Sequence, residues 1–197
     1  MIDFVYGRLH EKNMDSITIE SGGLGYKIFV TSSLYPKLAD VGETIRVHTH
    51  FIHKEDSMDL YGFESTYERE VFRHLLSVSG VGPKLGMKIL SDLQYNDVIR
   101  AVLNKDSVYL SKVNGLGKKT SEKIILELKS KFQKLYPYPV DAEKGEGNIE
   151  NRTAIEALLA LGYREKEALE ATHAVIRGKK ATSTEDIIKE SLKILAL

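Results

Sequence analysis

Part of this sequence occurs twice, and no other feature restricts its fold so tightly. LLSVSGVGPKLGMKILSDL (75–93) aligns without a gap on LSKVNGLGKKTSEKIILEL (110–128), 35 residues further along. Leu75 meets Leu110, Val78 meets Val113, Gly80 meets Gly115, Gly82 meets Gly117 and Ile89 meets Ile124. One glycine pair would say little, but two copies with matched apolar flanks define a unit. Each copy reads as a helix, a Gly-x-Gly hairpin, and a second helix opened by Pro83-Lys84 or by Lys118-Lys119.

Such a loop suits a phosphate. Glycine permits positive φ and a close backbone approach, and free N–H groups at the start of the second helix attract an anion. A free nucleotide is excluded by spacing. A Walker loop needs glycine five residues before Gly117, where Lys112 stands, so Gly117-Lys118-Lys119-Thr120 only mimics its ending. A dinucleotide fingerprint needs a third glycine at Leu85 and a preceding strand. What remains is helix-hairpin-helix logic: contacts to the sugar–phosphate backbone, which carry no base information. The competing explanation is a glycine-capped turn between packed helices.

Charge favours the first explanation. The chain has 28 Lys+Arg and 28 Asp+Glu, but residues 64–135 hold 13 against 8, while residues 1–63 hold 6 against 9 and residues 136–197 hold 9 against 11. The repeated hairpins lie in the only basic third. Phosphate contacts alone give affinities of about 10⁻⁴ to 10⁻⁶ M at physiological salt, so tight binding calls for several chains acting together.

The first third reads as five strands, IDFVYGRLHEK, DSITIES, GYKIFVT, ETIRVHTHF and SMDLYGF, with turns at Asn13-Met14-Asp15, Gly22-Gly23 and Lys54-Glu55-Asp56. A short helix is expected over SSLYPKLA, between the third and fourth strands. Five strands with that insertion suggest a small barrel of the OB type. From Ser65 the period becomes helical: Ser65 and Glu68 form a capping box, and Val71, Phe72, Leu75 and Leu76 make one stripe. YPYPVDAEKGEGN (136–148) has linker composition, and amphipathic helices are expected near 150–161, 165–177 and 184–196, the last starting at Ser183 and Asp186. The resulting class is α+β and multidomain: a barrel over 1–63, tandem helix-hairpin-helix units over 64–135, a linker over 136–149 and three helices over 150–197.

Other chemistry finds little support. No cysteine is present, which removes disulfides, thiolate nucleophiles and Cys-ligated zinc. His48, His50 and His53 form H-x-H-x-x-H, but no matched fourth ligand is evident and polar positions on a barrel strand explain them. No nucleophile elbow and no acidic cluster beside the hairpins suggests catalysis. No cofactor or metal is expected, and the absence of a basic leader or long apolar run makes a cytoplasmic protein the expectation. Two other readings stay open from the residues alone. One is a repair glycosylase or lyase using helix-hairpin-helix domains; the other is an OB-type single-strand binder stacking bases on Tyr26 or Phe29.

Taken together, HFIHKEDSMDLYGF (50–63), SVSGVGPKLGMKIL (77–90), VNGLGKKTSEKIILELK (113–129) and EALLALGY (156–163) resemble the RuvA family of bacterial Holliday-junction-binding proteins. The resemblance spans the whole chain. It implies an OB barrel, a tandem helix-hairpin-helix domain and a small three-helix domain akin to ubiquitin-associated folds. It also implies a homotetramer on four-way junction DNA, with a second tetramer able to sandwich the junction. Residues 150–197 would contact a separate RuvB-type ATPase that drives branch migration in recombination and repair, and a junction resolvase can join. Carried over, the DNA-binding residues are Ser79, Gly80, Gly82 and Lys84, then Asn114, Gly115, Gly117, Lys118, Lys119 and Lys123. Glu55 and Asp56 match the family's acidic pin, which would push separated strands outward by repulsion; read alone, they are an ordinary solvated turn.

Overall fold

In the computed structural model, which describes residues 2–136, 147–178 and 183–195, five strands close into a barrel. These are β1 (Phe4–Lys12), β2 (Ser16–Ser21), β3 (Leu24–Val30), β4 (Thr44–His53) and β5 (Met58–Phe63), in the spatial order β1-β2-β3-β5-β4 with β4 closing on β1. Only β3 and β5 run parallel. Alternation turns Val5, Leu9, Ile17, Ile19, Ile28, Val30, Val47 and Leu60 into the barrel, where each buried side chain contributes roughly 1.5–3 kcal/mol. A register irregularity between Leu9 and Glu11 bends β1, so that one strand serves both β2 and β4.

The chain then turns helical: α1 (Thr66–Leu76), α2 (Pro83–Asp92), α3 (Tyr95–Leu103), α4 (Ser107–Leu110) and α5 (Lys118–Leu135). The switch occurs at the expected cap, where Ser65 Oγ accepts from the Glu68 N–H at 3.2 Å. The other half of the box differs from expectation. Glu68 is buried, and its carboxylate accepts from the Glu64 N–H at 3.0 Å instead of returning to Ser65. Phe72 joins barrel to helices, its ring centroid 4.9 Å from Phe63, 5.4 Å from Tyr61 and 5.8 Å from His50. Arg69 adds a polar clamp, Nη1 donating to the Asp3 carboxylate at 2.6 Å and the Asp3 carbonyl at 2.8 Å.

The helix expected over residues 32–39 shrinks to a single 3-10 turn, Tyr35–Lys37. Its would-be capping residues are engaged elsewhere. The Ser32 N–H donates to Ser91 Oγ, Ser32 Oγ donates to the Ser91 carbonyl, and Ser33 Oγ donates to the Leu90 carbonyl. Pro36 further limits helical propagation. The segment therefore ties the barrel to the end of α2.

The described residues fall into two compact units, divided between residues 139 and 140. The second contains α6 (Gly147–Ala160), α7 (Glu165–Arg177) and α8 (Thr184–Leu195). Most of the segment expected to be a linker lies outside the described residues, and α6 reaches back into its end. Just past the end of α6 the Gly162 N–H caps the Leu159 carbonyl, and the φ of 94° at Gly162 turns the chain so that the Tyr163 N–H reaches the Leu158 carbonyl. The expected start of α8 is present: Ser183 Oγ accepts from the Asp186 N–H at 3.2 Å. Among the described residues no helix is long and apolar enough to cross a membrane.

Candidate nucleic-acid interface

The repeat in sequence is a repeat in hydrogen bonding. In the first unit the Val78 N–H donates to the Leu75 carbonyl, Val81 to Val78 and Gly86 to Gly82. In the second, Val113 donates to Leu110, Leu116 to Val113 and Ser121 to Gly117. Gly80 and Gly115 hold φ of 95° and 88°, a conformation that side chains with Cβ rarely adopt. Val78, Val81, Val113 and Leu116 are all buried, anchoring each hairpin from beneath. Ser79, Gly80, Gly82, Asn114, Gly115 and Gly117 are thereby left on the outer surface.

The second glycine of each hairpin is the more informative. Gly82 (φ −87°, ψ 173°) and Gly117 (φ −71°, ψ 160°) are extended N-caps in conformations open to any residue. A Cβ built at either would meet nothing within 4 Å. Neither backbone geometry nor packing within the chain requires glycine there. Neither N-cap supplies a side chain to the helix it opens, so the first-turn N–H groups of α2 and α5 face outward with the positive end of the helix dipole. The arrangement leaves a bare, donor-lined surface at each hairpin, suited to an anion that approaches the main chain closely.

Lys84, Lys118 and Lys119 stand exposed at the two helix starts. Lys123, one turn further, shares its charge with Glu127, whose Oε1 is 3.9 Å from its Nζ. Residues 111–117 line an open concavity at the second hairpin, and this includes Lys112, which the motif match alone does not single out. A further pair emerges only in three dimensions. Gly86 and Ser121, one repeat apart, are both buried: a Cβ on Gly86 would lie 2.9 Å from Phe72 Cε2, and Ser121 turns its hydroxyl back to the Gly117 carbonyl at 3.2 Å. A small residue at this position lets the second helix of each unit pack closely. The repeat alignment carried that signal, since both residues are small.

Glu55 and Asp56 are exposed at the tip of the β4–β5 hairpin, which is closed by the Lys54 N–H donating to the Ser57 carbonyl at 2.8 Å. The three histidines do not converge. His50 sets its ring against Phe72, His53 stacks beside Phe51, and His48 lies on the β4 face near Arg69 and Arg46. Burial, reinforced by nearby arginines, holds His48 and His50 below the ordinary imidazole range, so both are neutral at pH 7. Among the described residues no group of three His, Cys, Asp or Glu is placed to hold a metal ion.

Comparison with known proteins agrees with this architecture segment by segment. Residues 1–62 match the model for the RuvA N terminal domain, residues 72–130 the SAM-like helix-hairpin-helix tandem, and residues 154–196 the RuvA C-terminal domain. The chain is 38% identical over 202 residues to the Holliday junction branch migration complex subunit RuvA of Pseudomonas fluorescens, covering 98% of both chains. It is 39% identical over 202 residues to the protein of that name from Acetivibrio thermocellus, covering 100% of this chain and 99% of the relative. Identity to the Pseudomonas putida protein is 38% over 205 residues, with 98% of each covered. With a five-stranded closed barrel, a duplicated glycine hairpin and full-length similarity, the chain belongs to the RuvA family.

Proposed function

We propose that this chain is the junction-binding subunit of a branch-migration complex acting in recombination and DNA repair. The observation that carries the reading is the pair of bare glycine N-caps, Gly82 and Gly117, which nothing within the chain requires to be glycine. A phosphodiester backbone approaching the first-turn amides supplies that requirement. Ser79, Gly80, Gly82 and Lys84 grip one strand of a duplex arm, and Asn114, Gly115, Gly117, Lys118 and Lys119 grip the other, with Lys123 adding charge. The chain itself performs no chemistry; a RuvB-type ATPase supplies the motor.

A four-armed substrate presents four equivalent duplexes, so a homotetramer matches it with one pair of hairpins per arm. Glu55 and Asp56 at an exposed hairpin tip fit the acidic pin, repelling the phosphates of separating strands. A second tetramer or a junction resolvase takes the opposite face of the DNA. Residues 150–197 engage the motor. In support, Leu158 is buried while Leu159 and Leu161 are 38% and 62% exposed, leaving two leucines of the ALLALGY motif available to a partner.

Competition binding of the full chain to a synthetic four-way junction and to linear duplex of equal length tests the reading. Preference for the junction by at least tenfold is expected. Equal affinity for the two, or preference for single strands, contradicts it.

A further inference from the structure

The two hairpins differ at their feet, and the difference is compensated by a distant residue. Position 77 of the first repeat corresponds to position 112 of the second, and position 74 to position 109. In the second repeat these are Lys112 and Tyr109, and the Lys112 ammonium sits 5.0 Å from the Tyr109 ring centroid, beside the hairpin concavity. In the first repeat they are Ser77 and His74, which supply no comparable cation. There Lys131, from the far end of α5, brings its ammonium to 3.4 Å from Ser77 Oγ. The neighbouring Phe132 ring meets His74 edge-on, with centroids 5.7 Å apart.

The cation missing from the first repeat is thus delivered to the equivalent place by the helix that the second hairpin opens. Each ammonium touches a neutral partner, a serine hydroxyl or a tyrosine ring, so neither charge is compensated by that contact. Both lysines are exposed. Resting on the proposal that the hairpins bind duplex DNA, we infer that Lys112 and Lys131 are a matched pair of further phosphate contacts, one at the foot of each hairpin. They engage the backbone beside the phosphates held by the glycine loops. α5 then has two tasks: its first turn binds at one hairpin and its last turns complete the other.

The alternative role for Lys131 is mechanical, holding α5 against the end of α1 without touching DNA, and salt dependence separates the two. Binding of the full chain to a labelled four-way junction is measured across a salt series for wild type, Lys112→Gln, Lys131→Gln, Lys131→Arg and a Lys118→Ala/Lys119→Ala control. Each phosphate that a variant leaves unneutralised flattens the log–log slope by about 0.9 per engaged subunit. The expected result is that both Gln variants flatten it by that amount and Lys131→Arg keeps the wild-type slope. If the Gln variants retain the wild-type slope while the control flattens, the matched-pair assignment is overturned and hairpin binding stands. If all variants retain it, hairpin binding falls too.

Discussion

Glu68 combines burial with charge more sharply than any other described residue. It sits where β3, α1 and the start of α3 meet, accepting from the Glu64 N–H at 3.0 Å and facing Thr31, Lys37 and Tyr95. Burial pushes its carboxyl up to about 7; repulsion from Glu64 adds to this, while the Glu64 amide and Lys37 oppose it. Because the folded-state value lies above the ordinary 4.5, the fold takes up a proton as it forms. Stability from this group is complete below about 4.5 and is lost as pH rises through about 7. The full loss is on the order of 3 kcal/mol, most of it falling between pH 5 and pH 8. Urea unfolding between pH 5 and pH 8 should therefore show wild type losing stability that Glu68→Gln keeps, since the amide still accepts from Glu64 and never ionises. Parallel pH profiles for the two proteins would contradict the assignment.

Among the elements, α3 ends in a way that invites improvement. The Asp106 N–H reaches the Ala101 carbonyl at 2.8 Å and the Lys105 N–H reaches Val102 at 3.3 Å, a cap that places Lys105 at φ 58°. It is the only non-glycine residue with positive φ among those described. Lys105→Gly should raise stability by about 0.5–1 kcal/mol, because relief of the left-handed conformation exceeds the added chain entropy; chemical denaturation reads this directly. The equivalent stop on α6 already has Gly162. Elements of this kind were legible wherever the signal was local: five strands, the Ser65 cap, the Ser183 start and both glycine turns follow from short-range residue chemistry. What escaped depends on partners far along the chain. The SSLYPKLA segment lost its helix because Ser32 and Ser33 bond to α2. Glu68 reads as an ordinary capping glutamate until α1 packs on the barrel. The place of Lys112 in a concavity and the approach of Lys131 to Ser77 likewise appear only after folding.

For the whole molecule, the proposed function gives each chain two weak binding loops, which become useful only when several chains share one DNA, because effective concentration converts modest contacts into tight binding. A four-way junction would offer that sharing, and the proposed assembly of four chains would present eight hairpins to it. Everything at this scale depends on one physical statement, that the outward amides at Gly82 and Gly117 meet the DNA backbone. The double variant Gly82→Ala/Gly117→Ala isolates it, since a Cβ at either site meets nothing in the chain and the backbone there suits alanine. Each substitution should change folding stability by no more than about 1 kcal/mol, N-cap preference and chain entropy largely offsetting one another. The decisive measurement is junction affinity of the double variant beside its thermal unfolding. A loss of tenfold or more in affinity with near-unchanged unfolding is predicted; wild-type affinity in a folded variant would contradict the account.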